Sequence, residues 1–197
     1  MLAGSVAGIV TAWLHVKLGI LQLLACILVM VALYSVNLRI MGAPNLPLLG
    51  ETTVFSTLVS DGNGYWMRCL IIGVVVLLAM LFLNWFYSTE TGLSMRATGS
   101  NLRMAQAQGI NTSWMTIIGM AISNGLIALA GALFVQTQGG ADISIGIGTI
   151  VIGLAAVIIG ETIIPAKRIW LLTFAVVVGA VLYKLFIQVA LSSDTLR

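Results

Sequence analysis

The sequence predicts an all-α, polytopic membrane protein, and three observations carry that prediction. Of 197 residues, 60% are hydrophobic and only 8% are charged, with a mean hydropathy of +1.11. A soluble domain carries roughly 25% charged residues, because its surface must stay wet. Charge is also missing from long stretches: no Lys, Arg, Asp or Glu occurs from Leu18 to Leu38, Cys69 to Thr89, Met104 to Ala141, Ile143 to Gly160 or Ile169 to Tyr183. A spanning helix needs about 20 mostly apolar residues. Lastly, these runs lack period-two alternation. In lipid the backbone must satisfy its own hydrogen bonds as a helix or a closed barrel, and the missing alternation excludes the barrel.

Six apolar segments follow in order, roughly Leu2–Leu14, Gly19–Leu38, Tyr65–Tyr87, Ser113–Gln136, Gly146–Ile164 and Ile169–Leu191. Trp13, Trp66, Trp85, Trp114 and Trp170 all fall near a segment end, which fits the preference of Trp for the headgroup layer. One set of connecting loops holds Lys17, Arg96, Arg103, Lys167 and Arg168; the other holds Arg39, Arg68 and Arg197, diluted by Glu51, Asp61, Asp142 and Asp194. The excess of Lys and Arg places the first set in the cytoplasm. Lys184, inside the last segment, is expected to snorkel outward.

The net charge of +3 reflects those loops and gives no reason to expect nucleic acid. Cys26 and Cys69 lie inside apolar runs and read as small buried hydrophobes; neither a disulfide framework nor a metal site is expected. The opening residues lack the basic region and cleavage site of a signal peptide. The first segment is short for a span, and the closing "SSDTLR" reads like the start of another element. Further spans are therefore expected before Met1 and after Arg197.

The stretch "RATGSNLRMAQAQGI", Arg96 to Ile110, interrupts the apolar pattern. Asn101 (or Ser100) is a good N-cap. Leu102 to Gln108 is a run of strong helix formers, and Gly109 can supply the left-handed residue that ends a helix. Such a short helix cannot stand alone in water and must pack on something. Leu102 and Met104–Ala105 offer an apolar face, Arg103 and Gln106 polar contacts. Two readings are open: an amphipathic loop helix at the headgroups, or a docking knob for a cytoplasmic protein.

A family resemblance favours the second. "MRATGSNLRMAQAQGI" resembles the cytoplasmic coupling-helix signature of permease subunits in the ribose and branched-chain amino acid group of ATP-binding-cassette (ABC) importers. The stretch "GMAISNGLIALAGALFVQTQGGADISIGIGTIVIGLAAVIIGE" is similar to the same group. "LHVKLGILQLLACILVMVALYSVNLRIMGAPNLPLLGE" resembles its bacterial branch described as tryptophan/tyrosine transport proteins. In one respect the chain departs: the family often has Pro after the Asn, and here it is Leu102. The resemblance implies a type II-like permease of the bacterial inner membrane, a single domain over 1–197 that is incomplete at both ends. Its coupling loop would run over about 88–112, with Arg96, Gly99, Asn101, Leu102, Arg103, Met104, Ala105 and Gly109 serving an ABC ATPase subunit. It further implies a second permease copy, an extracytoplasmic solute-binding protein and a small solute, with aromatic amino acids favoured. The sequence holds no G-x-x-x-x-G-K-[ST] loop, so ATP chemistry is expected on a separate chain, and this chain is expected to be neither an enzyme nor a cofactor binder.

Two regions suggest a pathway. Ser123 and Asn124 form a polar pair in mid-span that could either bond between helices or line a conduit. "QTQGGADISIGIG" is too polar to face lipid, and irregular backbone at membrane depth is tolerated beside a cavity; Gln138, Gly139, Gly140 and Asp142 are therefore placed at the external mouth. Gly125, Ala128, Gly131 and Ala132, then Gly146, Gly148, Gly153 and Gly160, read as close-packing positions. Glu161 is expected to pair with Lys167 and Arg168. The alternative function is a secondary transporter or channel without an ATPase. It is disfavoured because ion coupling requires ionisable groups in mid-membrane, and none is seen. The one histidine, His15, is placed in a loop and has no catalytic partners.

Overall fold

The computed structural model describes residues 1–48, 64–165 and 168–192. Lys167, Glu51, Asp61, Asp194 and Arg197, used above for orientation, lie outside the described residues. Eight helices and a small ribbon follow in order among the described residues: α1 Leu2–Leu18, α2 Gln22–Met41, β1 Asn45–Pro47, α3 Gly64–Ser88, α4 Glu90–Ser100, α5 Leu102–Ala107, α6 Thr112–Gln138, β2 Gly140–Asp142, α7 Ile145–Ile163 and α8 Ile169–Ser192. Among the described residues, α2, α3, α6 and α8 hold stretches long and apolar enough to cross a membrane, and α1 and α7 are shorter apolar helices. At 1.5 Å per residue α1 reaches only about 26 Å, short of a hydrocarbon core about 30 Å thick.

The side chains are distributed as lipid requires. Among the described residues the buried apolar ones are Ala12, Ala25, Val29, Ala105, Ala156 and Ala175, whereas large residues such as Leu2, Leu21, Trp66 and Leu154 stand exposed. Water would drive large residues inward. Between helices in lipid, tails are as apolar as Leu, so small residues that let backbones approach form the contacts. All five tryptophans are at least half exposed, from 50% at Trp13 to 82% at Trp66. Cys26 and Cys69 are also exposed, a correction to their expected burial: both lie on outward helix faces.

Contacts divide the chain into two units, one of Met1–Ala79 with Trp85–Ile143, the other of Met80–Asn84 with Ser144–Arg197. In the first, α1 crosses α6 antiparallel. Gly4 lies against Ala128 and the Asn124 carbonyl, Gly8 against the Met120 carbonyl, and Gly125 beside Ser5. Gly4 and Gly8 form a G-x-x-x-G face, a spacing legible in the sequence although the short length of α1 argues against a span. The antiparallel crossing brings His15 and Lys17 to the end of α6 from which α5 emerges.

Helix α1 runs four residues beyond its expected end. Gly19, with φ 66°, stops it, and basic residues suit the last turn of a helix dipole. His15 therefore lies in that turn, its Nδ1 2.7 Å from the Ile20 carbonyl.

In the second unit α7 and α8 pair through Gly160 and Gly179. A Cβ on Gly160 would lie 2.8 Å from the Ala175 carbonyl carbon, and one on Gly179 would lie 2.6 Å from the Gly160 nitrogen. Asn84 donates to Met80 O at 2.9 Å and to the Thr173 hydroxyl at 3.3 Å, a polar clasp within this unit between the Met80–Asn84 stretch and α8. Of the expected packing glycines, Gly125 and Gly160 lie in contacts; Gly131, Gly146, Gly148 and Gly153 face open space. Composition alone cannot say which side of a helix meets a neighbour. Glu161 is exposed, and of its expected partners Lys167 and Arg168 the first lies outside the described residues.

Candidate functional site

The polar interruption folds as a rigid elbow. Helix α3 ends at Ser88, whose hydroxyl donates to Trp85 O at 2.6 Å. Thr89 then works in both directions: its hydroxyl donates to Phe86 O at 2.6 Å and accepts from Gly92 N–H at 3.4 Å. Gly92 is pressed onto the end of α3, where a Cβ would lie 2.6 Å from Tyr87 Cα. Any larger residue would have to open this corner. Glu90 stands in the first turn of α4, the end that favours an anion.

Asn101 forms the second joint by itself. Its extended backbone, φ −154°, breaks the chain between α4 and α5. Its N–H bonds Ala97 O, and its side-chain oxygen accepts from Met104 N–H at 3.1 Å. One residue thus caps the C-terminus of α4 and the N-terminus of α5. The far end of α5 is a full Schellman motif: Ile110 N–H bonds Ala105 O, Gly109 N–H bonds Gln106 O, and Gly109 has φ 80°. Gln106 Nε2 donates to the Thr112 hydroxyl at 3.1 Å, and Asn111 caps α6 through Trp114 N–H at 3.2 Å. With both ends closed, a helix too short for water holds its shape.

Arg96, Gly99, Asn101, Leu102, Arg103, Met104 and Gly109 are all exposed on this elbow. Leu102 is 53% and Met104 60% exposed, which makes an apolar patch beside Arg103, while Ala105 is 3% exposed. Ala105 is thus corrected from a partner-facing to an inward-packing position. Residues 102 and 105 are a turn apart, but packing onto the chain's own helices takes the small one. Helix α4 was not foreseen. Its Gly, Ser and Thr content hid it, although Thr89 followed by Glu90 was a readable start signal.

The other end of α6, about 40 Å away at 1.5 Å per residue, carries the second predicted region. Gly139, with φ 72°, turns the chain, and Gly140–Asp142 then pairs antiparallel with Asn45–Pro47, register Asn45↔Asp142, Leu46↔Ala141 and Pro47↔Gly140. Leu48 N–H to Gly139 O and Ile143 N–H to Pro44 O extend the ladder. The expected irregular bend is instead a ribbon, since backbone groups there find partners in another loop. Two three-residue strands leave no readable pattern in sequence. Gln138 ends α6 on an exposed face.

Ser123 and Asn124 have different surroundings. Ser123 is exposed, whereas Asn124 sits at the α1 crossing and its amide donates to Met120 O, one turn back, at 3.0 Å. That bond lies within α6, so it does not join two helices. Among the described residues no cluster of His, Cys, Asp or Glu could hold a metal ion.

Apolar helices with their large side chains outside and small residues between them define a multi-pass membrane protein. More particularly, the chain belongs to the family described as branched-chain amino acid transport system / permease component, whose model matches residues 1–194. It is 40% identical over 192 residues to a tyrosine transport system permease protein of Clostridioides difficile, covering 98% of this chain and 63% of that protein. It is also 35% identical over 165 residues to an uncharacterized protein of Rickettsia prowazekii, covering 83% of this chain and 56% of that one. A more distant relative, an autoinducer 2 import system permease protein of Photorhabdus laumondii, is 30% identical over 96 residues, 48% of this chain and 29% of its own. The chain thus spans less than two thirds of the length of these relatives. No solved structure matches it.

Proposed function

We propose that this chain forms the membrane-spanning core of a bacterial ATP-driven amino acid importer, and that α4–α5 is where a separate ATPase subunit docks. The observation that carries the reading is α5 itself, capped at both ends with Leu102, Arg103 and Met104 presented outward. An unpartnered helix has no need of such rigidity, whereas a motor gripping it needs a part that moves without bending. The elbow shares its end of the first unit with Lys17, which supports a cytoplasmic location. The β1–β2 ribbon at the opposite end of α6 is then the external face, where Gln138, Gly139, Gly140 and Asp142 stand at the mouth and a solute-binding protein docks. A second copy of the permease completes the pathway. The relative named for tyrosine transport favours an aromatic amino acid as cargo.

The test is co-purification of the permease with its ATPase, before and after residues 101–109 are replaced by a flexible linker of equal length. Retention by the native protein and loss in the linker variant is the expected result. Equal retention by both would remove the docking role.

A further inference from the structure

Displacement of a docked elbow must reach the membrane helices, and one small contact lies on that route. Met95, in the middle of α4, lays its thioether over Gly119 of α6. A Cβ on Gly119 would lie 2.8 Å from the sulfur, 3.8 Å from Cε and 3.9 Å from Cγ of Met95, and these are its three nearest heavy atoms. A single flexible side chain therefore fills a notch that exists because Gly119 lacks a Cβ.

The next residue makes this notch more than packing. The Met120 carbonyl is the seat of Gly8 from α1, and the Met120 sulfur lies 3.3 Å from the Gln22 amide nitrogen at the start of α2. Thus α4, α1 and α2 all meet α6 at two consecutive residues. The parts on the elbow side of the contact are stiff: the Gly92 corner is closed against Tyr87, and α5 is tied to α6 through Gln106 and Thr112. A stiff body tied to the start of α6 and seated on this notch two turns further in passes its displacement to the spans where they meet, at the notch. Resting on the docking reading above, we infer that Met95 and Gly119 are positioning residues, forming the joint through which the elbow moves α6 and, through Met120, α1 and α2.

Gly119→Ala separates this role from folding. The new methyl meets the far end of an unbranched side chain that can swing aside, so the fold survives while the joint is displaced. Met95→Ala empties the notch, and Met95→Leu nearly conserves its volume.

The experiment uses the full permease–ATPase complex labelled with 13C-methyl methionine, with the Met120 signal assigned by Met120→Leu. The readout is the shift of that signal when ATP is added. A clear shift is expected in the native complex and after Met95→Leu. In Gly119→Ala and Met95→Ala it is expected to fall at least threefold, with the ATPase still bound. An undiminished shift in both variants, or no shift in the native complex, overturns the joint while leaving docking intact. Failure of the native permease to bind the ATPase at all overturns the docking reading and this inference with it.

Discussion

The packing of α1 on α6 can be tested by adding one methyl group, Gly8→Ala. A Cβ at Gly8 would meet the Met120 carbonyl oxygen, with the Met120 carbonyl carbon at 2.9 Å and Ala121 Cα at 3.0 Å. All are backbone atoms of a continuous helix, so none can rotate away. Optimal carbon–carbon separation is about 3.5–4.0 Å, so α1 must withdraw by roughly 0.5–1 Å, which forfeits a quarter to a half of the dispersion well along the seam. Overpacking of this kind costs about 1–3 kcal/mol. Helix propensity acts the other way, since Gly→Ala within a helix gains about 1 kcal/mol. Gly73→Ala is the matched control: Gly73 is in helix α3 with nothing within 4 Å of its would-be Cβ, so only the propensity gain applies. The difference between the two variants isolates the steric contribution, about 1–3 kcal/mol against Gly8→Ala. Reversible unfolding of both proteins in detergent, compared with the native chain, measures it. Equal stability of the two would refute the close crossing of α1 and α6.

The same structure makes other expectations. Asn101→Ala should cost about 1 kcal/mol of local stability through loss of the cap, seen as faster hydrogen exchange across α5 with the spanning helices unchanged. Gly109→Ala forces a Cβ into the left-handed region at a cost of about 1–2 kcal/mol, so its exchange pattern should resemble that of the cap variant. For the clasp between Asn84 and Thr173, a double-mutant cycle of Asn84→Leu with Thr173→Val should give a coupling of about 0.6 kcal/mol; zero coupling would mean that the 3.3 Å contact adds nothing to the packing of the second unit. Arg103→Cys should be labelled by a membrane-impermeant thiol reagent only from the cytoplasmic side, and labelling from outside the cell would invert the proposed orientation.

Residue chemistry alone determined a good deal of this protein. The charge-free runs fixed which segments are helices in lipid, because a backbone without water has almost no alternative. Asn101 and Gly109 fixed both ends of α5, because caps are local and are written within a few residues of the helix they close. The tertiary structure decided everything that depends on which side of a helix meets a neighbour. Gly4 and Gly8 proved to be contacts while Gly131 and Gly153 did not, and Ala105 turned inward while Met104 stayed out. The ribbon of Asn45–Pro47 with Gly140–Asp142, like the meeting of Met95 with Gly119, joins residues far apart in the chain. The reason is physical: in an almost uniformly apolar sequence the inward and outward faces of a helix carry the same kind of side chain, so hydropathy cannot tell them apart. Only the fit between backbones selects the face.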